Sequence, residues 1–274
     1  MSGVAASQEE RQHAEYLKLF LDPVLKCKAY RPKFGNSKKQ GGYSLGEFEK
    51  LYGTDPFYSW IGLDTELMYA AHRAAGGMTS VYRQIGIGCE YLFRRIVFDS
   101  AQYEDPALAE WSYTSKTQAG KEKTLSLDAR LELASIRNKA VETACRSWIA
   151  VVCKDLGVVT PPANGAVFEV RQGYKSKDSK RQNADIDNAA VAWASKYLPV
   201  FAVFSVQIDH DIVLRYRNSR CGVLIGKASG TPYESIYEFS SEILKFDLSG
   251  FFKSNSATIR EAVSDVLETL LGAS

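Results

Sequence analysis

Residues 157–174, GVVTPPANGAVFEVRQGY, decide the fold class, because the spacing of apolar residues changes here. Before Gly157 the pattern is helical. After it, two short runs rich in β-branched and aromatic residues are joined by Pro, Asn and Gly, which predicts a β-hairpin whose second strand is AVFEVR. Successive side chains of a strand point to opposite faces. Phe168 and Val170 are therefore expected on the core face. Glu169 and Arg171 emerge together on the other face, followed by Lys175 if the strand stays extended.

Upstream, residues 128–157, DARLELASIRNKAVETACRSWIAVVCKDLG, read as one long helix. Leu131, Ile136, Ala140, Ala144 and Trp148 approximate an apolar stripe, Asp128 stands at the cap and Gly157 at the end. Downstream, QNADIDNAAVAWASKY predicts a helix, VFAVFSVQI a buried strand, IVLRYRNS a helix and CGVLIG a short strand. This alternation implies an α/β fold with a mixed central sheet flanked by helices.

Further outward, residues 9–29 carry helical spacing that Pro23 ends or kinks. Residues 32–45, PKFGNSKKQGGYSL, form a polar, glycine-bearing loop. A helix over 63–75 is capped by Asp64 and stopped by Gly76 and Gly77. Another runs from Thr79 through VYRQIGIGCEYLFRRIVF, where Gly86 and Gly88 mark close packing against a neighbouring element. The C-terminal TIREAVSDVLETLL is amphipathic and is expected to pack back on the domain or on a second subunit. The organisation expected is a mainly helical elaboration with a basic loop over 1–127, an α/β core over 128–226 and a helical segment over 227–274, all within one compact domain.

The chain has 274 residues, 45% hydrophobic and 24% charged, which fits a folded protein and excludes disordered and collagen-like classes. No apolar run reaches bilayer length, and the N-terminal MSGVAASQEERQ turns polar before a signal-peptide core forms, so a cytoplasmic location is expected. The 5 cysteines are scattered, without a CxxC pair, and read as buried reduced thiols. A net charge of +2 does not itself demand a polyanion, but the cations are clustered. One group lies between Lys26 and Lys39, another between Lys175 and Arg181.

Glu169 beside Arg171 suits phosphodiester hydrolysis. A carboxylate can hold Mg²⁺ while a neighbouring cation stabilises charge on the attacked phosphate. Asp155, at the foot of the preceding strand, is the nearest candidate for the second carboxylate. The competing reading of Glu169 and Arg171 is an exposed cross-strand salt bridge. The block that follows supplies residue types that contact phosphates and base edges: Lys175, Lys177, Lys180, Arg181, Gln182 and Asn183, joined by Lys38 and Lys39 of the N-terminal loop. Asp209, His210 and Asp211 have metal-ligand chemistry but read as a helix cap. Glu90 is a further candidate carboxylate, and His72 reads as a helix-surface residue.

The run from Asp155 through GVVTPPANGAVFEVR, set between a long helix and an alternating helix and strand, resembles the Asp...Glu-x-Lys core of the restriction-endonuclease-like nuclease superfamily. The wider chain, IGLDTELMYAAHRAAGGMTSVYRQIGIGCEYLFRRI with VRQGYKSKDSKRQNADI, is similar to bacterial type II restriction endonucleases of the ApaLI-like group. The resemblance implies a sequence-specific double-stranded DNA endonuclease of a restriction-modification system, with Asp155 and Glu169 as Mg²⁺ ligands and a homodimer acting on a palindromic site. The chain departs from that pattern at Arg171, where the superfamily usually has lysine. Arginine stays protonated and cannot serve as a base, which leaves Lys175 or Gln172 for that role. Two alternatives remain: a DNA-binding protein that keeps a nuclease-like fold without cleaving, and a different α/β enzyme using the Asp209 region.

Overall fold

The computed structural model describes residues 7–36, 38–116, 122–174 and 179–272. Lys175 and Lys177 lie outside the described residues. The helices in chain order are α1 (Gln8–Leu25), α2 (Leu45–Gly53), α3 (Pro56–Trp60), α4 (Glu66–Ala101), α5 (Lys139–Asp155), α6 (Ser179–Ala194), α7 (His210–Asn218), α8 (Ile236–Glu238), α9 (Leu248–Ser254) and α10 (Ser256–Leu271). The strands are β1 (Trp111–Lys116), β2 (Glu122–Leu127), β3 (Ala129–Glu132), β4 (Gly165–Arg171), β5 (Tyr197–Val203) and β6 (Gly222–Leu224). Among the described residues no helix is long and apolar enough to cross a membrane.

The chain forms two compact units: Met1–Gly88 with Ser254–Ser274, and Cys89–Lys253. The C-terminal helix thus joins the N-terminal unit, and the boundaries fall at neither 127 nor 226. In the first unit, α10 packs on α1, Lys28 pairs with Asp265, and Arg73 Nη1 donates to the Gly272 carbonyl at 3.0 Å. Pro23 lies inside α1, which continues to Leu25 and passes into a 3₁₀ turn over Lys26–Ala29. The glycines of α4 do not end a helix: Glu66–Ala101 is continuous over 36 residues. They admit neighbours instead. A Cβ on Gly77 would lie 2.7 Å from Leu270 Cδ2, and one on Gly88 would lie 2.3 Å from the Phe20 carbonyl oxygen. The propensity cost of about 1 kcal/mol per glycine is offset where the missing side chain lets another element approach. Gly86 meets no neighbour within 4 Å, so close packing does not explain it.

The second unit holds a four-stranded mixed sheet in the order β3-β4-β5-β6 and a separate β1-β2 hairpin. β3 is antiparallel to β4, whereas β4, β5 and β6 run parallel. Phe168 of β4 packs against Trp148 of α5, Phe93 of α4 and Phe239, which follows α8. On the opposite face Val167 packs with Trp111, Leu127 and Ala192. On that same face Phe201, the register partner of Glu169, stacks on Tyr216 of α7 at 3.8 Å. α5 and α6 therefore cover opposite faces of the sheet. All seven residues of β5 are buried, as its continuous apolar run requires.

Two expectations are corrected here. The antiparallel partner of β4 is β3 and not residues 158–162, which form no strand. Residues 128–157 are accordingly not one helix. Ala129, Leu131 and Leu133 are buried and alternate with Arg130 and Glu132, which is a period of two. The helix begins only at Lys139, where Asn138 Oδ1 accepts from Ala140 N at 3.2 Å and Val141 N at 3.4 Å. Asn138→Ala is expected to destabilise the fold by about 1 kcal/mol through loss of this cap, read as a lower urea midpoint at unchanged m-value.

Candidate active site

The register Ala129↔Phe168 places Asp128 opposite Glu169 on the face of β4 that carries Arg171. Asp128 is fixed there by both ends. Its main-chain N–H donates to the Phe168 carbonyl at 2.9 Å, and its Oδ2 accepts the Val170 N–H at 2.7 Å. Arg94 Nε of α4 donates to the Asp128 carbonyl at 2.6 Å, and the same guanidinium pairs with Glu90 one turn earlier. Arg171 Nη2 lies 2.6 Å from Glu169 Oε1 and 2.9 Å from Asp185 Oδ1 of α6. Tyr216 donates to Asp185 Oδ2 at 2.7 Å, and the Tyr174 and Tyr216 hydroxyls are 3.2 Å apart. A chain of polar contacts thus runs from α4 through β3 and β4 to α6 and α7.

The cluster is buried. Side-chain exposure is 12% for Glu169, 16% for Arg171 and 5% for Asp185. The outward, solvated salt bridge read from alternation is therefore corrected: alternation set the face, but α6 covers it. Four carboxyl groups, Glu90, Asp128, Glu169 and Asp185, accompany the guanidinium groups of Arg94 and Arg171, and the Arg181 charge also reaches Glu169. Burial, and then the neighbouring Asp128 charge, raises the Glu169 carboxyl well above the usual carboxylate range. Burial and the Glu90 charge raise Asp128. The Arg171 guanidinium is held more firmly protonated, because the Glu169 and Asp185 charges outweigh its burial.

A carboxyl whose folded pKa exceeds its unfolded one adds stability that is present below the unfolded value and lost as pH rises through the folded one. Folding stability is expected to fall from about pH 4, where the unfolded carboxyls ionise, to about pH 8, where Glu169 has lost its proton in the folded state. A divalent cation that bound the ionised pair would restore the loss, more at pH 8 than at pH 5. Urea unfolding across that range, with and without Ca²⁺, checks both signs. Glu169→Gln should flatten the pH dependence.

Asp155 does not reach Glu169. It ends α5, on the other face of the sheet, and pairs with Arg217 of α7. The carboxyl group that stands opposite Glu169 is therefore that of Asp128 and not that of Asp155. Gln182 is buried and accepts from Arg215 Nη1 at 2.8 Å, while Asn183 accepts from Arg215 Nη2 at 2.5 Å, so both amides hold α7 to α6. Lys180 and Arg181 are exposed at the start of α6. In the other unit Lys38 is exposed, and Lys39 pairs with Glu47 at 2.6 Å. That ion pair and the Ser44 contacts pull the Glu47 carboxyl down to about 2. Asp209 caps α7, its Oδ1 accepting from Asp211 N at 2.9 Å. His72 sits edge-on to Phe34 at 4.9 Å.

Among the described residues no group of three or more His, Cys, Asp or Glu side chains is arranged to hold a metal. The cluster instead offers two carboxyl groups, Asp128 and Glu169, facing each other across antiparallel segments. That donor set fits Mg²⁺, which commonly takes one or two protein carboxylates and completes its shell with water and substrate phosphate. Arg171 Nε, buried without a hydrogen-bond partner, leaves one donor of the cluster unspent. No family model matches the chain, and neither a search of curated proteins nor one of solved structures finds a match.

Proposed function

We propose that the chain is a Mg²⁺-dependent endonuclease that cleaves double-stranded DNA site-specifically, in the manner of a type II restriction enzyme with a restriction-endonuclease-like core. One observation carries this reading: Asp128 is pinned by the Val170 N–H beside Glu169-Val170-Arg171. An acidic residue next to an acid-x-cation strand is the arrangement that phosphodiester hydrolysis needs.

Asp128 and Glu169 would hold the cation, which when bound supplies Lewis acidity and lowers the pKa of water. Arg171 supplies fixed positive charge for the developing phosphorane. It stays protonated and takes no proton from water. Asp185 and Tyr216 hold that guanidinium in place, and Arg94 anchors Asp128 through its carbonyl. Burial keeps water from screening these charges, so each acts more strongly than at the surface.

A second reading has its own support. The Arg171 Nη2 already bridges Glu169 and Asp185, which describes equally a structural network in a DNA-binding protein that does not cut. Incubating supercoiled plasmid of mixed sequence with Mg²⁺, with parallel EDTA lanes and mapping of the ends, separates the two. Discrete Mg²⁺-dependent fragments support the enzyme. Retarded but intact plasmid supports the binding protein.

A further inference from the structure

A cleft of about 500 Å³ opens beside Asp128, between the β1-β2 hairpin and the start of β3. Its lining includes Arg94, Arg130, Ser112, Ser126, Trp111 and Glu110. Ser112 and Ser126 are register partners, so their hydroxyls share one face of the hairpin, and both residues are exposed. Arg94 and Arg130 come from different elements and converge on the same space. Each is already oriented from behind. Arg94 binds the Asp128 carbonyl and Glu90, and Arg130 donates to the Leu108 and Ala107 carbonyls at 3.0 and 2.8 Å. The acidic groups nearby are Glu90, which pairs with Arg94, Asp128, Glu132, 3.8 Å from Arg130 Nη1, and Glu110.

We propose that this cleft binds the DNA phosphate next to the one that is cut. Two guanidinium groups and two hydroxyls supply fork-shaped and single donors, the chemistry that holds a phosphodiester. Position points the same way. Asp128, just before β3, and Arg130 within it are two residues apart, about 6–7 Å along an extended chain, which is comparable with the step between successive phosphates of a nucleic-acid strand. Trp111, the neighbour of Ser112 on β1, is packed into the core against Val167 and Ala192 and anchors the hairpin that carries the two hydroxyls. This inference rests on the endonuclease reading for the identity of the neighbouring phosphate.

The test is binding of the full-length protein to a fluorescein-labelled duplex in EDTA, where no cleavage occurs, over a range of salt concentrations. Arg130→Gln keeps side-chain donors for the carbonyls but removes the charge. Ser126→Glu places a negative charge at an exposed strand position that tolerates it. Both are expected to weaken binding about tenfold, as for loss of one charged hydrogen bond. Arg130→Gln should also lower the slope of log K against log salt by about one. Unchanged affinity and slope in both variants overturn the proposal, even if wild type cleaves plasmid. Weakened binding in both, with a wild type that never cleaves, supports the phosphate cleft and removes the endonuclease reading instead. Saturation of the cleft by inorganic phosphate, with DNA affinity unchanged in Arg130→Gln, assigns it to a free anion and also overturns the proposal.

Discussion

Glu169→Gln and Asp128→Asn are each expected to reduce Mg²⁺-dependent DNA cleavage by about a thousandfold while the protein stays folded and bound to DNA. Both substitutions are isosteric. Asparagine at 128 still presents an oxygen to the Val170 N–H, so β3 and β4 stay joined. What disappears is the negative charge that a divalent cation requires, and the remaining carboxylate alone cannot replace it. Asp155→Ala is the matched control. Asp155 ends α5, which covers the face opposite Glu169, and its partner is Arg217, so the variant is expected to cut at close to the wild-type rate. Single-turnover cleavage under saturating enzyme gives the chemical step directly. Full activity in Glu169→Gln would remove this cluster from consideration, and loss of activity in Asp155→Ala alone would return the site to the pair read from sequence.

The second large effect concerns stability. Asp185→Ala is expected to cost about 3 kcal/mol, because breaking a buried ion pair leaves uncompensated charge behind. Asp185 is 5% exposed and serves two partners, Arg171 on one oxygen and Tyr216 on the other. Its loss leaves the Tyr216 hydroxyl with Tyr174 as its remaining partner and removes one of the two carboxylates that face Arg171. Asp185→Asn keeps an acceptor for Tyr216 and should lose clearly less. Urea unfolding of the two variants checks the order. Equal stability of Asp185→Ala and wild type would mean that α6 is held to the sheet by its apolar contacts alone.

Most of the second unit was legible in the sequence because its signals are local. β4, β6, α6 and α7 lie close to where the changes of period put them, whereas β5 begins at Tyr197, inside the expected helix, and ends at Val203, short of the expected run; the order of elements implies the mixed sheet. β3 was misread because ARLEL runs directly toward a true helix, and Leu131 and Ile136 fit a helical stripe as well as Leu131 and Leu133 fit a strand. The glycines of α4 misled for a related reason. A glycine ends a helix only where the backbone turns left-handed, and whether it instead admits Leu270 or Phe20 depends on segments distant in sequence.

The site was half legible. Glu169 and Arg171 stood out through strand alternation, and Glu90 was noticed. Asp128 was taken for a helix cap, although its real partner, Val170, lies 42 residues away. Asp185 was lost in a polar block because nothing local marks a carboxylate that α6 will press onto Arg171. Cross-strand register sets these meetings, and register is a property of the folded sheet. The period-two burial of residues 129–133 was the signal that could have exposed Asp128.

The five cysteines, all buried, make the native chain a blank background for sulfur chemistry. Burial pushes the Cys145 and Cys221 thiols up to about 12 and Cys153 up to about 11. Because the thiolate is the attacking form, a maleimide finds almost nothing to react with until the chain opens. Slow labelling then becomes a clock for opening. A single cysteine introduced at the exposed Ser126 would take a dye at the rim of the cleft, without first stripping the protein of its own sulfur.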